Sequence, residues 1–169
     1  YKIFKENNID VELLSYTPLE PQNGVDATQD LYSKIGFKDI IFMPTVFSLS
    51  HTQFRKAQTE KGSRIASMPG FTLKMFEPNG PMDVDYNKVK EITDDVVNKL
   101  KSGDYIRITG ENTDIIIEVN KSLVFGSSGL MTKKGDFGNL PGAEAFTIPK
   151  HKGDSNGFFT VPAGWGGNR

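Results

Sequence analysis

Cysteine is absent from the 169 residues. Its absence excludes a disulfide framework, a thiol nucleophile and any zinc held by thiolates. It agrees with a reducing cytoplasm, the compartment expected for this chain. Long hydrophobic runs are missing too. Stretches such as Ile40-Ile41-Phe42-Met43 are far too short to cross a bilayer, so no membrane partner is expected. Net charge is nearly absent: 20 Lys and Arg stand against 21 Asp and Glu, for a formal charge of −1. The basic residues are scattered rather than striped, which argues against a phosphate-binding surface and against nucleic acid as a partner. Hydrophobic residues at 37% and charged residues at 24% make an ordinary globular balance that can bury a sizeable core. The length suits one domain, or one domain with an appendage.

Periodicity divides the chain at about Gly103. Before it, strand and helix signals alternate. Tyr1 to Asn8 reads as the tail of a helix already under way, so the expectation is of a chain that begins inside a larger protein. Val11 to Tyr16 reads as a strand, Asp26 to Ile35 as a helix stopped by Gly36, and Asp39 to Phe42 as a strand buried on both faces. Ser50 followed by Gln53 forms a capping-box pattern that opens a helix ending at Gly62. Arg64 to Ser67 is a further strand, closed by Met68-Pro69-Gly70. After Asp85, the spacing of Val89, Ile92, Val96, Val97 and Leu100 predicts one apolar helix face, and Gly103 ends it. Beyond Gly103 the period shortens. Tyr105 to Thr109, Asp114 to Val119 and Ser122 to Phe125 read as antiparallel strands, with two more over Ala145 to Ile148 and Gly157 to Val161. The expected fold class is therefore α/β. Residues 1–103 would form a Rossmann-like parallel sheet with flanking helices, and residues 104–169 a β-rich antiparallel extension.

Two segments could carry chemistry. In an open α/β sheet, ligands sit beyond the carboxyl ends of the strands, where helices begin. Ser48 to Thr52 lies at such a junction, and free N–H groups there would favour an anion or a carboxylate. His51 and Arg55 could both face that crevice. The competing reading is that Ser50 only caps the helix and His51 only satisfies a neighbouring backbone group. The second segment runs from Gly135 to Pro149. Glu144 follows a tight Gly/Pro turn at the start of a strand, and a carboxylate held this way suits a divalent cation; taken alone, a Glu beside a turn is usually a solvated charge or an amide-capping group. His151 lies between Lys150 and Lys152 and reads as a surface residue. Asp94 and Asp95 fall on the solvent side of the long helix. Ser127-Ser128-Gly129 lacks a paired base, and the glycine-rich stretches match neither a P-loop nor a dinucleotide fingerprint.

Three segments taken together are familiar: Ser48-Leu49-Ser50-His51-Thr52-Gln53-Phe54-Arg55, then Lys61-Gly62-Ser63-Arg64-Ile65-Ala66-Ser67-Met68-Pro69-Gly70, then Gly138-Asn139-Leu140-Pro141-Gly142-Ala143-Glu144-Ala145-Phe146-Thr147-Ile148-Pro149. In this order and spacing they resemble the bacterial and archaeal leucyl aminopeptidase (aminopeptidase T-like) family. The resemblance implies a dimeric exopeptidase with a two-metal site of the zinc, cobalt or manganese class, acting on peptides. It implies Glu144 as the first metal-binding glutamate, with the remaining ligands in a later segment outside this chain. His51, Arg55 and Asn139 are then candidates for substrate binding. The same broad family includes dioxygenases that use one non-haem iron to open a dihydroxypyridine ring, so iron is the metal expected under that alternative. A non-catalytic binding module is the third reading.

Overall fold

A computed structural model of the chain describes residues 2–150 and 152–161; His151, read above as a surface residue, lies outside them. The chain is of the α/β class and divides into two compact units, each discontinuous in sequence. One comprises Tyr1–Asp83 with Met131–Pro141, the other Val84–Leu130 with Gly142–Arg169. The long helix after Asp85 therefore groups with the antiparallel strands rather than with the parallel sheet.

The first unit is built on a three-stranded parallel sheet. Its strands are β1 (Ile40–Met43), β2 (Arg64–Ser67) and β3 (Phe137–Asn139), in that order across the sheet. Its helices are α1 (Lys2–Glu6), α2 (Gln29–Ile35) and α3 (Gln53–Glu60). Thr28 caps α2 by accepting the Leu31 N–H, and Gly36, at φ 60°, ends it. A left-handed residue at that place suits glycine, which carries no Cβ to clash. Met43, Leu49, Phe54 and Ile65 form the core, with Tyr16, Tyr32, Ile35, Ile41 and Phe137 packed against them. Below this core Gln58 Nε2 donates to Gly36 O at 2.7 Å and Ser63 Oγ to Lys38 O at 2.6 Å, tying the end of α3 to the entry of β1.

Two expectations fail in this unit. Val11 to Tyr16 forms no strand. Its composition favours extended backbone, but a strand also requires an edge to pair with, and this segment has none; Leu13 stays 73% exposed. The strand expected to be buried on both faces is instead the sheet's outer strand, β1, and Ile40 and Phe42 are about half exposed. An apolar run does not distinguish a central strand from an edge strand.

The second unit holds α4 (Tyr86–Ser102) and the antiparallel strands β4 (Tyr105–Gly110), β5 (Thr113–Ser127), β6 (Glu144–Pro149) and β7 (Asn156–Phe158). Asp85 caps α4 through the Asn87 N–H and Gly103 closes it. The helix is rotated from its expected orientation: Thr93 is buried, whereas Ile92 is 67% exposed. Gly126 of β5 explains this, because a Cβ there would lie 2.9 Å from Thr93 Cγ2 and 3.0 Å from Val97 Cγ2. The helix seats its Thr93–Val97 side in the space that the glycine leaves. The two strands expected over Asp114 to Val119 and Ser122 to Phe125 are one long strand, β5, with a register shift between Val119 and Val124. Asn120 Oδ1 accepts from the Ser122 N–H and hydroxyl, a local bond of the kind that interrupts a ladder without ending the strand. Among the described residues no helix is long and apolar enough to cross a membrane.

Candidate functional site

The carboxyl ends of the parallel strands in the first unit carry the candidate site. β2 and β3 pair in parallel with Ser67 opposite Asn139, so the last residue of each strand reaches the same edge. The loop from β1 to α3 returns Ser50 to that edge. Ser50 Oγ lies 2.8 Å from Ser67 Oγ and 3.2 Å from Asn139 Oδ1. Ser48 Oγ lies 2.8 Å from Ser50 Oγ and accepts the Ser50 N–H at 3.2 Å. Ser50 and Ser67 are buried and Asn139 is exposed, so the cluster runs from the interior to the surface.

Ser50 is not the helix cap that its spacing to Gln53 suggests. Thr52 caps α3, with its Oγ1 accepting the Arg55 N–H at 3.2 Å. Two further N–H groups of that first turn, Gln53 and Phe54, donate to the Asp26 carboxylate at 2.9 and 3.1 Å. The anion expected at this helix end is thus a side chain of the chain itself, as the macrodipole favours. Asp26 also accepts from the Tyr32 hydroxyl at 2.7 Å, and that hydroxyl accepts the Ala27 N–H at 2.6 Å. Partial burial raises the Asp26 pKa, but its hydrogen bonds from Tyr32, Gln53 and Phe54 outweigh that and hold it below the ordinary carboxylate value. Burial, then the bond to Asp26, raises that of Tyr32.

Of the residues singled out in the sequence, Asn139 is joined to Ser50 through its side chain. Arg55 is joined to the same residue through the backbone: its Nε donates to Ser50 O at 2.7 Å, and its guanidinium stands 4.3 Å over the Phe137 ring. Arg55 is therefore committed to holding the loop. His51 is exposed, and its side chain makes no hydrogen bond with a described residue. Glu144 belongs to the second unit. It is the first residue of β6, exposed, and opposite Ser127.

Ser67 and Asp26 were not singled out as site residues, and Ser48 and Thr52 only as the ends of a segment. Ser67 was within reach, because it ends a strand that the sequence does show, and the rule that selects Ser48 to Thr52 selects it equally. Asp26 carried a misleading signal, since it reads as the start of α2 although it serves α3. An open depression of about 450 Å³ lined by Asp10, Val11, Glu12, Leu13 and Lys38 shares no residue with the cluster, and Lys38 and Glu12 pair across it at 2.9 Å. Among the described residues no three His, Asp or Glu side chains gather as a metal centre requires. No protein-family model, no curated protein and no solved structure matches the chain.

Proposed function

We propose that this chain forms the α/β and β-rich portion of a metal-dependent aminopeptidase-type protein, and that the sheet edge at Ser50, Ser67 and Asn139 is one wall of its peptide cleft. The supporting observation is convergence. The three segments on which the resemblance rests are far apart in sequence, yet Ser50 of the first, Ser67 of the second and Asn139 of the third share one hydrogen-bonded cluster. This edge is also where an open parallel sheet places ligands, because helix starts and loop backbone leave polar groups there.

In this reading the neutral hydroxyl and amide groups orient the polar backbone of a peptide, and His51 lines the approach. Glu144, exposed at the head of a strand, is proposed as one carboxylate ligand. The described donors do not on their own compose a two-metal centre, so Glu144 would need partner ligands that the described residues do not supply. A metal bound there would supply an activated water and polarise the scissile carbonyl.

The test uses the full-length protein with zinc, cobalt or manganese and an amino-acyl p-nitroanilide, and in parallel with ferrous iron and a dihydroxypyridine. Metal-dependent release of the N-terminal residue is expected. Glu144→Ala should lower metal occupancy while circular dichroism stays unchanged. Ring opening without peptide hydrolysis would replace the reading with the dioxygenase one. Unchanged metal content in Glu144→Ala would remove Glu144 from the site.

A further inference from the structure

One arrangement of the cluster's hydroxyl protons satisfies each buried group, and it orients Asn139. Each serine hydroxyl carries one proton and can accept two. Ser67 is fully buried, and among the described residues its Oγ has one partner, Ser50 Oγ at 2.8 Å. Ser48 Oγ already accepts the Ser50 N–H, and its own proton points to Ser50 Oγ at 2.8 Å. Ser50 Oγ faces both Ser67 Oγ and Asn139 Oδ1 as a donor but carries one proton. When that proton goes to Asn139 at 3.2 Å, Ser67 donates to Ser50 in return and, with Ser48, fills it as an acceptor. The group that receives it must be the amide oxygen. With Ser48 donating to Ser50, the reverse orientation, with Nδ2 inward, would turn the Ser50 proton back onto Ser67 and leave a buried Ser67 proton without an acceptor, which native interiors avoid.

We propose that Asn139 holds its Nδ2 protons outward as the donor for a carbonyl oxygen of a bound peptide, with Ser50 and Ser67 as positioning residues that fix the amide in that sense. This rests on the reading of the edge as a peptide cleft. The Nδ2 of Asn139 has no partner among the described residues, and a hydroxyl chain ending on its oxygen polarises the amide into a better donor. The donors are uncharged, and the nearby guanidinium of Arg55 is engaged by Ser50 O and the Phe137 face. A neutral acceptor such as a peptide carbonyl fits this set better than a carboxylate, which draws on charged partners.

Two probes separate the outcomes: leucyl-glycinamide, and its analogue with the leucyl carbonyl reduced to methylene. Both are titrated into the isotope-labelled full-length protein with a chelator present, so that neither is turned over. Leucyl-glycinamide should shift the Asn139 side-chain amide signals. Asn139→Ala should weaken leucyl-glycinamide by about tenfold, the worth of one hydrogen bond, and leave the reduced analogue unchanged. Ser50→Ala should weaken the same probe, and Ser50→Thr should restore it. Equal weakening of both probes by Asn139→Ala overturns the proposal while the cleft reading stands. If neither probe perturbs Ser50, His51 or Asn139, the cleft reading itself fails and the proposal with it. Should Asn139→Ala not fold, the unmodified protein still decides. Nuclear Overhauser contacts from the Asn139 Nδ2 protons to the Ser50 or Ser67 β-protons would place the amide inward and overturn it; their absence supports the outward placement.

Discussion

At the scale of single residues, Asp26 shows how one side chain can connect two elements. It accepts from the first turn of α3 and from the Tyr32 hydroxyl of α2, so it is bonded to two helices at once. Each bond favours its charged form, and together they outweigh burial and hold its pKa below the ordinary value. The sign of the pH dependence follows. A carboxyl depressed in the folded state stabilises the fold above its unfolded pKa, and that contribution is lost as pH falls through the folded value. Asp26→Asn should therefore cost about 1 kcal/mol near neutral pH, the size of a lost cap with its dipole interaction. The gap between the two proteins should close in acid, as the native carboxyl becomes protonated. Denaturant midpoints measured from about pH 2 to pH 7 check this. A gap that stays constant through the acid range would mean that charge at Asp26 contributes nothing.

At the scale of elements, the same helix end separates two serine/threonine roles that sequence spacing confuses. Ser50 has the right distance to Gln53 to cap α3, but Thr52 performs the capping and also donates its hydroxyl to Leu49 O at 2.7 Å. Thr52→Ala should therefore destabilise the protein by about 1–2 kcal/mol. Ser50→Ala should leave helix content unchanged and act instead on the Asn139 amide. Circular dichroism with thermal melts of the two variants distinguishes these roles, and equal loss of helix in both would contradict the assignment. The contrast also marks what was legible in the chain. Asp85 and Gly103 bound α4 as read, because a cap and a terminating glycine act locally. The rotation of α4 was hidden, since it depends on Gly126 in a distant strand. β3 was hidden for a similar reason. Phe137-Gly138-Asn139 is three residues long and has no period of its own; it is a strand because β2 offers it an edge. The candidate site was half legible. Asn139, the Ser48–Thr52 loop and the strand end at Ser67 could be found from motif and position, but that Ser67 joins the other two becomes visible only once the parallel register is known.

At the scale of the molecule, the first unit is completed late in the chain. Its sheet consists of two strands until residues beyond Met131 return to add β3, and that strand brings both Asn139 and Phe137. The Phe137 ring packs against the core of Met43, Leu49, Phe54 and Ile65 and carries the Arg55 guanidinium on its face. Arg55 in turn holds the carbonyl of Ser50. Core packing and site geometry are thus coupled through one aromatic ring. Truncating it removes buried apolar contacts and also the platform that keeps Arg55 over the loop. Phe137→Ala should cost about 3 kcal/mol, the low end for deleting a buried aromatic, since the ring is only partly enclosed. Phe137→Leu restores much of the packing volume but no aromatic face, so it should recover most of the stability without restoring the cation–π contact. The two effects can then be read apart. Hydrogen exchange at the β2 and β3 amides reports the core, and the Arg55 Nε–H signal reports the loop. If Phe137→Leu restored both, the ring would matter as volume alone, and the path from core to site would have to run through another residue.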